Sequence, residues 1–394
     1  MTDCDRVLVF DTTLRDGEQA AGVAFRARDK LEIAAALAAA GVDVVEAGFP
    51  VSSRAEFDAV RAVAREVRET RVCALARAVP KDVEAAGEAL RGAAAPRIHV
   101  FVNASDMQLA HQLRRGRRDV AGMVRAMVTR ARELAEDVEF SPMDATRADR
   151  DFVAELAEDA VRAGAGTVNL PDTVGVALPE QVRALVAFVR ERIAGAGDAV
   201  VSFHGQDDLG LATANSLAAV AGGARQVEVA VNGIGERAGN TAFEEVVMAL
   251  RVHGSALRVR TGVDARAIHA LSRLVAERSG IAVPPNKAVV GGNAFRHASG
   301  IHQDGVLKHR ATFECFDPAE IGHPAGTEIV LGKLSGRAGF AARAEALGYR
   351  LDGRGLARAF ERFQALLADG AVAGDAALRA ACERPATATP RPVR

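Results

Sequence analysis

Eight short β-rich runs, separated by stretches with helical spacing, constrain the fold of this chain more than any other feature. They read RVLVF at 6–10, DVVEAGF at 43–49, RVCALA at 71–76 and RIHVFV at 97–102, then DVEFS at 137–141, GTVNL at 166–170, AVVSF at 199–203 and QVEVAVN at 226–232. Near-continuous apolar character marks strands buried on both faces, as in parallel sheets. Between them lie Ala-, Leu-, Arg- and Glu-rich stretches at 27–40, 53–69, 80–91, 149–163, 178–194, 209–222 and 241–252, and 105–136 has room for two helices. Gly41, Gly164 and Gly223 close three of these stretches, as a left-handed helix end favours. About eight strand–helix units in about 250 residues is the size of a (β/α)8 barrel. A doubly wound open sheet is the rival, but no G-x-G-x-x-G follows the first run. The expected fold class is therefore α/β, a (β/α)8 TIM barrel followed by small, mainly helical C-terminal subdomains.

After about residue 255 the rhythm breaks. Residues 264–279, 336–347 and 354–368 have helical spacing, and 284–305 is rich in Gly, Asn and His. The expected organisation is a catalytic barrel over 1–258, a subdomain over 259–325 that carries SGIHQDG, a helical subdomain over 326–383, and a disordered Pro-, Thr- and Arg-rich tail over 384–394.

Composition removes several function classes. Lys plus Arg is 50 and Asp plus Glu is 51, a formal net charge of -1, so a general electrostatic grip on nucleic acid or an acidic membrane is not expected. There is no Trp and one Tyr, which removes base-stacking platforms. Cys4, Cys73, Cys315 and Cys382 form no C-x-x-C pair, against a disulfide scaffold or structural zinc. The start lacks an apolar signal core, and no apolar run approaches the roughly 20 residues that span a bilayer. A cytoplasmic location is expected.

In such barrels chemistry sits where strands end. The first run leads to Arg15, Asp16 and Glu18; the second carries Glu46, the fourth His99, and the fifth Glu139 and Ser141. The sixth leads to Asn169, Asp172 and Thr173, the seventh to His204, Gln206, Asp207 and Asp208, and the eighth to Asn232, Glu236, Arg237 and Asn240. Each alone has a plain structural reading: Asp16 and Glu18, or Asp207 and Asp208, could cap the helices that follow. Together at one rim they form a candidate site. His204 and Gln206, two apart on a strand, point to one face. With Asp16 and Asn240 they offer one imidazole nitrogen and three oxygens, a set that suits Mg, Mn or Zn. Arg15 can hold a carboxylate in a bidentate way, with Thr173 adding a hydrogen bond. Gly233, Gly235 and Gly239 open backbone amides for phosphate or carbonyl oxygens.

These motifs carry a resemblance. FDTTLRDGEQ (10–19), VVEAGFPVSS (44–53), NLPDTVG (169–175), the long segment 207–240 ending in NGIGERAGN, and SGIHQDGVLK (299–308) are similar to those of the 2-isopropylmalate, homocitrate and citramalate synthase family. Agreement runs from about residue 6 to about 380; VCALAR (72–77) leans to the isopropylmalate branch and FDPAEIG (316–322) to the homocitrate branch. The resemblance implies an acyltransferase that condenses acetyl-CoA with a 2-oxo acid by a Claisen-type addition, then hydrolyses the thioester to release CoA. It implies 2-oxoisovalerate as the acid, a role in leucine biosynthesis, and a homodimer whose SGIHQDG subdomain reaches the partner's barrel mouth. It places Asp16, His204 and Asn240 as metal ligands, and Gln206 completes the expected set. Arg15, His99, Thr173, Ser141 and Glu46 are substrate contacts, and Gly233, Gly235, Glu236 and Arg237 an acetyl-CoA loop. His302, in trans, and Arg15 are catalytic. Mn or Mg is expected over Zn, because Gln206 stands where the family has a second histidine.

Two further departures accompany Gln206. Met143 replaces a glutamate and Phe313 a tyrosine. They leave alternatives open: a homocitrate-type enzyme using 2-oxoglutarate, a silent or repurposed paralogue, or a related carbon–carbon lyase. The chain stops after the helical subdomains, so leucine feedback through a further domain is not expected.

Overall fold

Each of the eight β-rich runs forms a strand, and the strands pair in sequence order into a closed parallel barrel. The structure is a computed structural model that describes residues 4–383; the expected tail at 384–394 lies outside the described residues. The barrel strands are β1 (Leu8–Asp11), β2 (Val44–Gly48), β3 (Arg71–Arg77), β4 (Pro96–Asn103), β5 (Asp137–Met143), β6 (Thr167–Asp172), β7 (Val200–Gly205) and β8 (Gln226–Val229). β8 closes on β1, with Leu8 opposite Gln226 and Asp11 opposite Val229.

The helices that follow the strands are α1 (Ala27–Ala39), α2 (Arg54–Glu66), α3 (Pro80–Ala89), α4 (Arg117–Leu134), α5 (Arg150–Arg162), α6 (Pro179–Ile193), α7 (Ala212–Gly222) and α8 (Phe243–Leu257). Their ends follow local chemistry. Ser53 and Asp149 accept from the backbone amides of Glu56 and Phe152 and start α2 and α5. Pro80 and Pro179 open α3 and α6, where a missing N–H is harmless. Gly223 ends α7 at φ 110°, a conformation that disfavours a side chain. The stretch 105–136 holds a short turn, Asp106–Gln108 running into Leu109–Leu113, ahead of α4.

Strand alternation divides two environments. Val168, Leu170, Val201 and Phe203 pack outward against Val182, Val186 and Val189 of α6 in one apolar cluster. The residues that alternate with them are polar and buried: Arg97, His99, Glu139, Ser141, Asn169, Ser202, His204, Gln226 and Glu228. Most of their polar atoms satisfy one another, Asn169 Oδ1 and Glu228 Oε1 excepted. Arg97 donates to Glu139 and to Gln226, each at 2.8 Å. Gln226 donates onward to Glu139 at 2.8 Å and to Ser202 at 3.0 Å. The barrel interior is thus a hydrogen-bonded polar core, which is tolerable only because its members are paired.

Two compact units emerge, one within Met1–Val283 and Ala288–Val290, the other within Pro284–Lys287 and Gly291–Arg394. The first holds the barrel, a parallel pairing of Asp5–Arg6 with Val259–Arg260, and α9 (Ile268–Ser279), which packs on α1. The second holds a parallel pairing of Arg296–His297 with Glu328–Ile329 and four helices: α10 (Gly300–Lys308), α11 (Arg337–Ala346), α12 (Gly353–Ala368) and α13 (Asp375–Cys382). Phe340, Phe363 and Leu378 form its apolar core. Among the described residues, no helix is long and apolar enough to cross a membrane.

Candidate active site

The segment after β1 is fixed from below. Lys30 on α1 is only 1% exposed. Its ammonium donates to the carbonyls of Leu14 (3.0 Å) and Ala47 (3.2 Å), and it pairs with Glu18 (2.7 Å) and Glu56 (2.8 Å). A buried cation so fully ligated anchors the loop that presents Arg15 and Asp16. Arg15 Nε donates to Glu46 at 2.7 Å, and its Nη1 reaches Asp16 at 3.0 Å. The Thr12 hydroxyl also donates to Glu46, at 2.7 Å.

At the C-terminal ends of the strands lies a cavity of about 260 Å³. Its polar lining includes Arg15, Asp16, His99, Ser141, Asn169, Thr173, His204, Gln206, Glu228, Glu236 and Arg237; its apolar lining is Phe49, Leu75, Phe101, Met143 and Pro171. Most of the residues expected at the site therefore meet in one place. Glu46 sits beneath, fully buried between Arg15 and His99. His99 Nδ1 contacts Glu46 at 2.9 Å and its Nε2 contacts Ser141 at 2.7 Å. The Thr173 hydroxyl accepts from the Asp144 backbone amide at 2.9 Å.

Charge at the site is set by burial on one side and neighbouring ions on the other. Burial disfavours ionised Glu46, but Arg15 and His99 overcome it and hold its carboxyl well below the usual range. Burial also opposes ionisation of Asp16, and Arg15 and His204 reverse that. Burial pulls the pKa of His99 and His204 down, but hydrogen bonds and charge from Glu46 and Glu228 respectively raise both.

Asp16, His204 and Gln206 converge as ligands would. His204 Nε2 is 3.6 Å from Asp16 Oδ2, and Gln206 Nε2 is 3.2 Å from each of the two. Backbone bridging sets Gln206 beside Asn240. The Asn240 amide nitrogen donates to Ile234 O at 3.0 Å, and both Asn240 Oδ1 and Gln206 Oε1 are buried without a hydrogen-bond partner. Two orphaned oxygens beside a carboxylate and an imidazole fit a divalent cation. Turning the Gln206 amide over would aim Oε1 at the Asp16 carboxylate, an orientation that needs a cation between them.

The loop after β8 owes its glycines to close packing around Asn240. A Cβ at Gly235 would overlap the Asn240 amide, and one at Gly239 would overlap the Gly233 carbonyl. Gly233 and Gly239 also take φ of 68° and 101°. The Glu236 amide approaches Asp16 Oδ1 at 3.4 Å, and Arg237 grips Asp208 at 2.8 and 2.9 Å. Asp207 caps α7 by accepting from Ala212, as its plain structural reading has it, whereas Glu18 caps no helix: it accepts from Phe25, ahead of α1, and pairs with Lys30.

Met143 lines the cavity, whereas the neighbouring Asp144 carboxylate is committed elsewhere. Arg147 donates to it through Nε at 2.9 Å and Nη2 at 2.7 Å, and Ser105 donates at 2.5 Å. His302 stands on α10 in the second unit. Its imidazole stacks on the Phe313 ring with centroids 4.0 Å apart and an interplanar angle of 19°. Gly305, one turn further along α10, leaves room for that ring, which a Cβ would strike.

Sequence reasoning passed over Lys30 and Glu228. Lys30 lies inside ARDKLEIAAALAA and reads as a solvated helix position. Glu228 had a usable signal: Gln226 and Glu228 put two polar residues on one face of an otherwise apolar strand.

A closed parallel barrel with a cation-fitted rim defines a class, the HMGL-like barrels, and the HMGL-like family pattern matches residues 6–275. A homocitrate synthase post-HMGL domain-like pattern matches residues 289–371. The chain is 51% identical to a 2-isopropylmalate synthase of Methylobacterium nodulans over 93% of this chain and 70% of that protein. It is 52% identical to a 2-isopropylmalate synthase of Pyrococcus abyssi over 91% and 74%. It therefore belongs to the 2-isopropylmalate synthase family of acyltransferases. The hydroxymethylglutaryl-CoA lyase of Pseudomonas aeruginosa shares the fold at a TM-score of 0.60 and 25% identity, over 72% of this chain and 96% of that one. The Bacillus subtilis HMG-CoA lyase does so at 0.60 and 21%, over 72% and 97%.

Proposed function

We propose that this chain joins acetyl-CoA to 2-oxoisovalerate and hydrolyses the thioester, releasing 2-isopropylmalate and CoA for leucine synthesis in the cytoplasm. The observation that carries the choice of acid is the apolar part of the cavity lining: Phe49, Leu75, Phe101, Met143 and Pro171. A branched alkyl chain can be buried there. The second carboxylate of 2-oxoglutarate would need a cation besides Arg15, and the other lining arginine, Arg237, is paired with Asp208.

Asp16, His204, Gln206 and Asn240 are the residues that would hold a divalent cation. When bound, it supplies Lewis-acid polarisation of the 2-oxo carbonyl. The neutral amide oxygens of Gln206 and Asn240 favour Mn or Mg over Zn. Arg15 and Thr173 bind the substrate carboxylate, with His99 and Ser141 completing the polar wall and Glu46 holding Arg15 and His99 in place. The loop bearing Gly233, Gly235, Glu236 and Arg237 meets acetyl-CoA. His302 takes a proton from the acetyl methyl group, the resulting carbon attacks the keto carbon, and water then cleaves the thioester. Met143 cannot share that proton work, and Asp144 is locked away. The active protein is a homodimer in which the segment bearing His302 serves the partner's barrel.

The test compares kcat/KM for 2-oxoisovalerate, 2-oxoglutarate and pyruvate, by thiol titration of released CoA with Mn or Mg present. Preference for 2-oxoisovalerate is expected. Preference for 2-oxoglutarate would reassign the enzyme to homocitrate-type chemistry.

A further inference from the structure

We propose that Glu228 is a positioning residue of the cation site: it holds His204 with Nε2 turned toward the ligand cluster and adds the negative charge that Gln206 does not bring. The proposal rests on the cation site assigned above.

The strand register builds the pair. β7 and β8 run parallel, and His204 lies directly opposite Glu228. Glu228 Oε2 is 2.7 Å from His204 Nδ1. With the Nδ1 proton donated to that carboxylate, the Nε2 lone pair is left facing Asp16 and Gln206. A carboxylate behind a ligating imidazole fixes its tautomer and raises its basicity.

The plainer reading is that Glu228 merely fills the barrel, and Glu139 shows what such a filler looks like. Both Glu139 oxygens are taken by interior partners, Arg97 on one and Gln226 on the other. Glu228 is only 1% exposed, and its Oε1 has no hydrogen-bond partner. Its hydrogen bond goes to His204, and it lines the cavity. Burying a carboxylate for one imidazole contact is unfavourable unless the pair faces further positive charge. A cation beyond His204 supplies that charge.

The test measures Mn²⁺ binding to the full chain by calorimetry and by the loss of free Mn²⁺ electron-spin-resonance signal. Glu228→Gln keeps the shape and removes the charge. Its Mn²⁺ Kd is expected to rise about ten- to a hundredfold. Glu228→Asp keeps the charge but withdraws it from Nδ1, so its Kd rises too. Thermal melts of both metal-free variants identify any that fail to fold, and the folded one decides. A Kd within about twofold of wild type in a folded variant would overturn the proposal. His204→Ala is the control for the site itself: if it binds Mn²⁺ like wild type, the cation assignment fails rather than the role of Glu228. A purely structural role would lower the melting temperature without moving Mn²⁺ affinity, and that outcome also overturns the proposal.

Discussion

Met143 brings a thioether to the cavity, and a thioether neither takes nor gives a proton. Gln206 changes the site in a subtler way. Its amide oxygen is neutral and hard, so it lowers the attraction for zinc more than for manganese. Gln206→His should therefore raise Zn²⁺ affinity relative to Mn²⁺, as read by competitive calorimetry; an unchanged Zn/Mn ratio would remove Gln206 from the ligand set. The residues that line the cavity were largely legible from the chain, because Arg15, Asp16, Thr173, His204 and Gln206 follow apolar runs and His99 interrupts one. The pairing of Glu228 with His204 and the lock on Asp144 were not. Both depend on which strand lies beside which and on where a left-handed residue (Asp144, φ 67°) aims its side chain.

At the scale of elements, the loop after β1 depends on a single cation. Replacing Lys30 by Met would leave Glu18 and Glu56 without their buried partner. A loss of about 3–5 kcal/mol is expected in urea unfolding, with Arg15 and Asp16 released from position. A loss below about 1 kcal/mol, the range of a surface pair, would contradict this account. On α10 the comparable contact is aromatic. Phe313 lacks a hydroxyl, yet its ring covers His302 at 4.0 Å. Phe313→Leu should shift the His302 ring protons downfield in NMR spectra, since the stacked ring shields them. Strands and helices were readable because apolar period and caps are local. Lys30 was not, because its partners Glu18 and Glu56 and the carbonyls of Leu14 and Ala47 come from the segment after β1, a neighbouring helix and strand β2.

At the scale of the whole molecule, the polar barrel interior links stability to pH. Burial pushes the carboxyls of Asp11 and Glu139 up to about 7. Unfolded, such groups ionise near about 4. Their stabilising contribution is thus full below about pH 4 and is lost as pH rises through about 7. Asp16 and Glu46 act in the opposite direction, since their lowered values contribute above the ordinary carboxylate range and fail on acidification. The contribution of these groups to the melting temperature should fall between about pH 4 and pH 7 and level off above it, and Glu139→Gln should flatten that fall. An equally steep fall in the variant would assign it to other groups. Metal-dependent synthase activity is expected of this barrel despite Met143, Gln206 and Phe313. Its most direct test is CoA release from acetyl-CoA and 2-oxoisovalerate by chelator-stripped protein, before and after adding Mn²⁺. Release is expected only with Mn²⁺, matched mole for mole by 2-isopropylmalate. Folded, Mn²⁺-loaded protein that releases no CoA with any 2-oxo acid would contradict it.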